Sequence, residues 1–332
     1  MPSPTLSVVI PVHNEAAHIG ATIDALVAAL EADGFEAELV LVDDGSTDGS
    51  GETARAAARD RLPVRIIDQP NRGRFEARRA GLAAAKAELV LLLDARVTLA
   101  RGALRFVRSR VEAGQSVWNG HVDVVSDNPF GIFWRLLAEL AWRDYFDDPR
   151  TTSFGADDFD RYPKGTTCFL APRALLLGAC DRFQTLYADV ALANDDTTIL
   201  RDIAGETRIG ISPEFGCVYA PRTGLGRFFR HAVRRGIVFV DGHGTAESRF
   251  FPVVLAFFPA SALLLWAALR RPSVVPAAAI ACAAAAGAYG LRAGRSREEV
   301  RALALVTPLY ALGHGLGMWR GLAELARGRL TR

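Results

Sequence analysis

The sequence predicts an α/β domain with a mostly parallel sheet, followed by a helical transmembrane region. Three observations predict it. Short, nearly continuous apolar runs alternate with stretches of helical periodicity through the first 95 residues. Two of those runs end in aspartate, at Asp43–Asp44 and at Asp94. From Phe250 onward come three long segments without Asp, Glu, Lys or Arg. We therefore divide the 332 residues into a domain over 1–245 and a membrane region over 246–332.

The elements follow in order. LSVVIPV is an apolar run that stops at Pro11 and reads as a strand. The next stretch places Ile19, Ile23, Leu26, Val27 and Leu30 at helical spacing, and Gly34 suits the helix end. Leu39–Val42 is a second strand, and a helix follows over roughly Gly51 to Arg59. VRIID is a third strand, RGRFEARRAGLAAAKA a helix, and ELVLLLD a fourth strand. Strands that are apolar along their whole length belong to a sheet covered on both faces, hence mostly parallel. Ligands of such sheets sit outside the carboxyl ends of the strands. That rule alone puts Asp43, Asp44 and Asp94 on one rim.

The middle of the chain is less regular. Gly131 to Phe146 reads as one helix, rich in aromatic residues, packed into a core or lying at a membrane surface, with the core preferred. DDPRTTSFGADDFDRYPKG is turn-rich and reads as a mobile loop. TTCFLAPRALLLGACDRF returns to strand and helix, with Pro172 near the helix start.

The net charge of +2 conceals an asymmetry. Phe250 to the end holds ten arginines and three glutamates, a balance of +7, which leaves −5 for the first 249 residues. The only lysines are Lys86 and Lys164, a coding bias and no sign of nucleic-acid binding. The four cysteines form no CxxC pair and have no histidine cluster beside them, so free thiols are expected. No cleavable leader is read at the N-terminus. The uncharged segments, approximately 250–269, 272–291 and 302–319, are each long enough for a hydrocarbon layer of about 30 Å. A cytoplasmic large domain with three spans would leave Arg327, Arg329 and Arg332 outside, against the positive-inside tendency.

Three acidic features invite a chemical reading, and each has a bland one. Asp43–Asp44 before Gly-Ser is ordinary turn chemistry. Asp94 alone is a strand ending. Asp195–Asp196 precedes a helical pattern, where capping is common. Their joint order carries more: VVIPVHNE, VLVDDGSTD, NRGRFEARRAGLAAAKAELVLLLDA, KGTTCFLAPRALLLGACDRF and NDDTTILRD. Over about residues 5 to 240 this set resembles family 2 of the glycosyltransferases. The resemblance is specific in the first half and looser in the second. No GxGxxG follows the first strand, which sets aside a dinucleotide-binding oxidoreductase.

The resemblance implies a GT-A fold, a nucleotide-sugar donor and transfer of a hexosyl or pentosyl group with inversion. The tail of spans resembles the membrane-anchored subset that builds lipid-linked sugars or exported polysaccharide. The acceptor is then a lipid-linked glycan or a polyprenyl phosphate, reached at a membrane that the chain crosses several times from a cytoplasmic domain. By the same resemblance Pro11, His13 and Glu15 meet the nucleotide, Asp44 reads the base and Asp43 supports the turn. Asp94 matches the first acid of the DxD pair that holds Mg²⁺ or Mn²⁺, hard ions that take oxygen ligands. Asp196 is the expected base, with Asp195 the alternative if the register slips by one. His231, Arg234 and Arg235 stand where related enzymes close over the diphosphate; juxtamembrane anchoring to anionic lipid is the equal alternative. The chain departs from the pattern at Arg96, where the second acid of DxD belongs. Three outcomes follow: a metal held through Asp94 and the diphosphate, a diphosphate clamped by Arg96 itself, or a membrane-anchored subunit that binds nucleotide sugar without turning it over.

Overall fold

The computed structural model describes residues 5–246, 248 and 250–330. The chain divides into two compact units. The first holds the residues up to Val124, Glu139–Gln184 and Asp195–Ala220; the second holds Val125–Ala138, Thr185–Asn194 and Pro221 onward.

The first unit begins as the sequence predicts: β1 (Leu6–Val12), α1 (Ala16–Asp33), β2 (Ala37–Asp43), α2 (Ser50–Ala58), β3 (Val64–Asp68), α3 (Arg74–Ala84) and β4 (Leu89–Leu93). Gly34 ends α1 in the left-handed conformation, φ 66°, and returns its N–H to Leu30 O. These four strands are parallel in the order β3-β2-β1-β4. β1 does not stop at Pro11. It runs on to Val12, because beyond Val9 β4 no longer pairs with it and β2 alone continues the ladder.

The rest of the sheet is mixed in direction. After β5 (Val97–Leu99) and α4 (Ala103–Glu112) come β6 (Trp118–Asp123), α5 (Pro129–Ala141), α6 (Arg143–Phe146) and β7 (Thr152–Phe154). β8 (Cys168–Pro172), α7 (Arg173–Asp181), α8 (Asp195–Glu206) and β9 (Ile209–Tyr219) complete it. β8 lies antiparallel between β4 and β6, so β6 again points the way β4 does. β9 runs parallel to β6 and also carries β5 and β7. The core is aliphatic side chains of β1, β2 and β4 against α1, with Val8, Ile10, Leu39, Leu41 and Leu91 fully buried. On the other face α3 comes so close that a Cβ on Gly81 would stand 2.4 Å from Val9.

Two stretches differ from the sequence reading. The Gly131–Phe146 helix is broken at Trp142 into α5 and α6. The turn-rich segment after it is folded in place: Tyr162 stacks on Phe154 at 5.2 Å, and the Lys164 ammonium sits over the Phe159 ring and donates to Tyr162 O. Its aromatic residues supply packing that the polar majority conceals. The four cysteines are free.

The second unit is helical: α9 (Leu225–His243), α10 (Phe251–Arg270), α11 (Val274–Arg292) and α12 (Arg297–Leu330). The last three, to Arg327, are long and apolar enough to cross a membrane, with mean hydropathies of 2.1, 1.8 and 1.2. Small residues let α9 and α12 touch. A Cβ on Gly317 would lie 2.0 Å from Val233 O, and one on Gly236 would lie 2.0 Å from His314 O. Gly313 meets Ala232 and Gly321 meets Val240 in the same register. Asp241 in α9 accepts from the Thr185 hydroxyl, Leu186 N and Asn194 N, all at 2.7 Å, and so pins the strap 185–194.

Candidate active site

The first loop and the turn after β2 interlock. Asn14 adopts the left-handed region, φ 54°, with its N–H on Ser46 Oγ and its Oδ1 accepting from Thr47 N. Ser50 Oγ and Asp48 Oδ2 accept from the N–H groups of Glu15 and Ala16, capping α1 from across the site. Asp43 Oδ1 accepts from Ser46 N at 2.8 Å, which closes the turn. His13 Nδ1 lies 2.8 Å from Asp44 O. A carbonyl only accepts, so Nδ1 carries the proton and Nε2 is left to accept from Asn14 and Asn71. Pro11 lies one residue before the end of β1, opposite Val42 of β2, beneath this loop.

Asp44 is buried, 4% exposed. Its Oδ1 accepts from Gln69 Nε2 at 2.7 Å and Arg72 N at 2.8 Å, and its Oδ2 from Gly73 N at 2.9 Å. Three donors occupy most of the acceptor capacity of one carboxylate. Asp44 therefore holds the loop 69–73 against the end of β2. Gly73, φ 89°, permits the turn from which α3 starts.

α3 then delivers two arginines to the rim. Arg74 and Arg78 are four apart and share a helix face. Arg78 is 2% exposed and meets three carboxylates: Nη1 to Asp195 Oδ2 at 2.6 Å and Asp196 Oδ1 at 2.7 Å, and Nη2 to Asp94 Oδ1 at 3.1 Å. Arg74 adds Nη2 to Asp195 Oδ1 at 2.7 Å and to Asp196 Oδ2 at 3.4 Å. The Thr166 hydroxyl, itself buried, donates to Asp196 Oδ1. Burial opposes ionisation of Asp196, but Arg74 and Arg78, with the Thr166 hydroxyl, hold its carboxyl well below the ordinary value of 3.8. Burial likewise works against the charge on Arg78, and the carboxylates of Asp196, Asp195 and Asp94 outweigh it.

Asp94, Asp195 and Asp196 are thus brought together, as the motif order predicts, by a residue pair that the sequence reading passed over. Arg74 and Arg78 stood there only as members of a helix. The available signal was that Arg78 shares its face with Phe75, Gly81 and Leu82, all buried. Arg96 turns the other way. Its Nε stands 2.7 Å from Glu15 Oε2, both side chains being about nine-tenths buried, and its Nη1 donates to Ala220 O at 3.3 Å. His231, Arg234 and Arg235 belong to α9 in the second unit. There His231 meets the Trp134 ring edge-on at 4.8 Å, Arg235 lies over the same ring at 6.0 Å, and Arg234 donates to Ala191 O.

The residues do not fit a divalent site built by the protein. The second acid is a guanidinium, the first shares an oxygen with Arg78, and among the described residues no three His, Cys, Asp or Glu side chains group to hold a metal.

A parallel α/β half-sheet with an acidic rim, extended by an antiparallel strand, is the frame of a GT-A nucleotide-sugar-binding domain. Residues 7–171 match the family model described as Glycosyl transferase family 2, and over that stretch the chain belongs to this family. An undecaprenyl-phosphate 4-deoxy-4-formamido-L-arabinose transferase of Aeromonas hydrophila is 41% identical over 92 residues, 27% of this chain and 28% of that protein. A dodecaprenyl-phosphate galacturonate synthase of Rhizobium johnstonii is 37% identical over 91 residues, 27% of each chain. The match thus spans little more than a quarter of these relatives' length. Among solved structures, the mannosyltransferase PcManGT of Pyrobaculum calidifontis, in complex with GDP-Man and Mn²⁺, superposes with a TM-score of 0.52 at 24% identity, covering 99% of this chain and 87% of that one. S. aureus TarS residues 1–349, with UDP-GlcNAc, gives 0.50 at 16% identity, over 93% and 92%. At these identities the likeness is one of fold.

Proposed function

We propose that the chain is an inverting glycosyltransferase that moves a sugar from a nucleoside-diphosphate donor to the phosphate of a polyprenyl lipid at a membrane. The observation that carries this reading is the double guanidinium clamp on Asp195 and Asp196. A carboxylate held so far toward its ionised form is a weak base. It suits poorly an acceptor hydroxyl, which must lose a proton as it attacks. A phosphate monoester arrives already ionised, its second pKa being about 6. One of its oxygens forms the new bond to the anomeric carbon as the bond to the nucleoside diphosphate breaks, and no proton has to move. The relatives whose names specify undecaprenyl and dodecaprenyl phosphate support the same acceptor class.

In this reading Asp94, Asp195 and Asp196 face the reacting sugar, with Asp196 the residue nearest to catalysis. Pro11, His13, Glu15, Asp43 and Asp44 shape the nucleotide loop, with Asp44 acting through residues 69–73. Mn²⁺ accompanies the donor in the Pyrobaculum enzyme. The residues at Asp94 and Arg96 do not favour the same arrangement here. Arg235 and His231 serve as lipid-facing anchors beside Trp134. The three helices cross the membrane with the first unit on the cytoplasmic side, which puts the cluster Arg292, Arg295, Arg297 and Arg301 on that side too.

The test is transfer by the purified full chain in detergent, using labelled nucleotide sugars with polyprenyl phosphate or lipid extract. Label should move into organic solvent as an acid-labile product, and Asp196→Asn should abolish it. No transfer from any common donor, with Asp196→Asn indistinguishable from wild type, would leave the binding-only subunit as the better reading.

A further inference from the structure

The rim contains its own cations. Arg78 commits both Nη atoms to the acidic cluster, where three carboxylates converge on it. Arg74 is placed differently. Its side chain is 42% exposed and commits only Nη2 to Asp195 and Asp196. Among the described residues its Nε and Nη1 have no partner. A planar guanidinium carries five donors, so Arg74 presents an unspent edge at the mouth of the cluster, at the first turn of α3. Helix N-termini favour anions in addition.

Arg96 bears on the same question from the other side. Putting a guanidinium where a metal-holding acid belongs changes the local charge by two units. It then fixes that change by pairing Arg96 with Glu15 in a buried contact at 2.7 Å. The pair ties the turn after β4 to the residue before α1, and moving the charge away would break a buried ion pair. A dication entering beside Asp94 would meet the Arg78 guanidinium already on that carboxylate.

We propose that Arg74, backed by Arg78, is the resident cation for the donor's diphosphate, so that this chain binds a nucleoside diphosphate without a divalent metal. The inference rests on the nucleotide-sugar reading above and adds the manner in which the diphosphate is held. It assigns Arg74 a binding role that the sequence motifs do not.

The experiment is calorimetric titration of the full chain in detergent micelles with UDP and with GDP, each in EDTA and in MnCl₂, with Mn²⁺ electron paramagnetic resonance on the same samples. Affinities in the two buffers should agree within about threefold, and the resonance should show no protein-dependent immobilised Mn²⁺. Arg74→Ala should weaken diphosphate binding by about tenfold or more in both buffers, in line with loss of a charge-assisted hydrogen bond. It should leave binding of the parent nucleoside unchanged. Arg74→Lys should recover part of the loss, and a thermal melt of each variant separates binding from folding. Arg96→Asp should introduce a Mn²⁺ requirement. Binding of UDP or GDP that vanishes in EDTA would overturn the inference and leave the nucleotide-sugar reading intact, as would an Arg74→Ala variant of wild-type affinity. Failure of any nucleoside diphosphate to bind, with or without metal, would sink both.

Discussion

β2 and β4 both end in aspartate at one rim of the sheet, but the two carboxylates are spent differently. Asp44 is surrounded by neutral donors, two of them backbone N–H groups of the loop that starts α3. Asp94 is a quarter exposed and shares a guanidinium with Asp195 and Asp196. The first strand end is a clamp that fixes backbone. The second is a charge cluster whose members remain within reach of a ligand. The clamp serves the cluster, because the loop held by Asp44 is the one from which Arg74 and Arg78 are launched.

The largest effect should come from removing the cation on which the second strand end depends. Arg78→Gln leaves buried like charges facing one another and should cost about 3–5 kcal/mol of stability. The pH dependence should also change sign. In the wild type Asp196 has a lowered folded pKa. Its contribution is complete above the ordinary value of 3.8 and disappears only as pH falls through the lower folded value. Without Arg78 the crowded carboxylates should bind protons more tightly when folded than unfolded, so the variant should regain stability as pH falls from 7 toward 5. Denaturant midpoints across that range check it. A variant that loses stability on acidification would show that Arg78 does not neutralise the cluster.

The two strand ends should separate cleanly under amide substitution. Asp44→Asn turns one acceptor into a donor facing N–H groups, at a cost of about 2–3 kcal/mol, and nucleotide affinity should fall with the folded fraction. Asp94→Asn should cost about 1 kcal/mol or less, since Arg78 keeps two partners, yet transfer should be lost. Melting curves and transfer assays on both variants decide the matter. If Asp44→Asn melts like wild type but loses binding of one nucleobase only, Asp44 reads the base and the clamp is secondary.

This contrast also marks how far the sequence could be read. The alternation from β1 to β4 was legible because strands covered on both faces are apolar throughout, and the strand-end rule located Asp43, Asp44 and Asp94 before any contact was known. In the second half of the sheet only β8, with α7 after it, was read in advance. β9 carries Pro213 and Glu214 in its middle, which argue against a strand, and it holds together because β5, β6 and β7 pair with its different parts. Arg78 was hidden because arginine patterns as surface, and only three partners distant in sequence make its burial tolerable. In the second unit the apolar segments read as long enough to span, with no face singled out for packing. The face that packs is instead written in glycine, at Gly313, Gly317 and Gly321 on α12 and at Gly236 on α9. Spacing of four among small residues was the signal available.

The smallest effect tests how the charge cluster is shared out. Thr166 is 1% exposed and gives its hydroxyl to Asp196 Oδ1. Thr166→Val keeps the shape and removes the donor, so stability should fall by about 1 kcal/mol. Both guanidinium groups remain on Asp196. Its carboxyl should therefore rise toward the ordinary range without reaching neutral pH, and transfer at pH 7.5 should change by less than about threefold. Thr166→Ser should restore the wild-type value. A large loss of turnover in Thr166→Val with KM unchanged would mean that the hydroxyl, and not the arginine pair, sets the protonation and aim of Asp196. Asp196 would then be closer in kind to Asp44 than its contacts imply, each carboxylate being set by neutral donors.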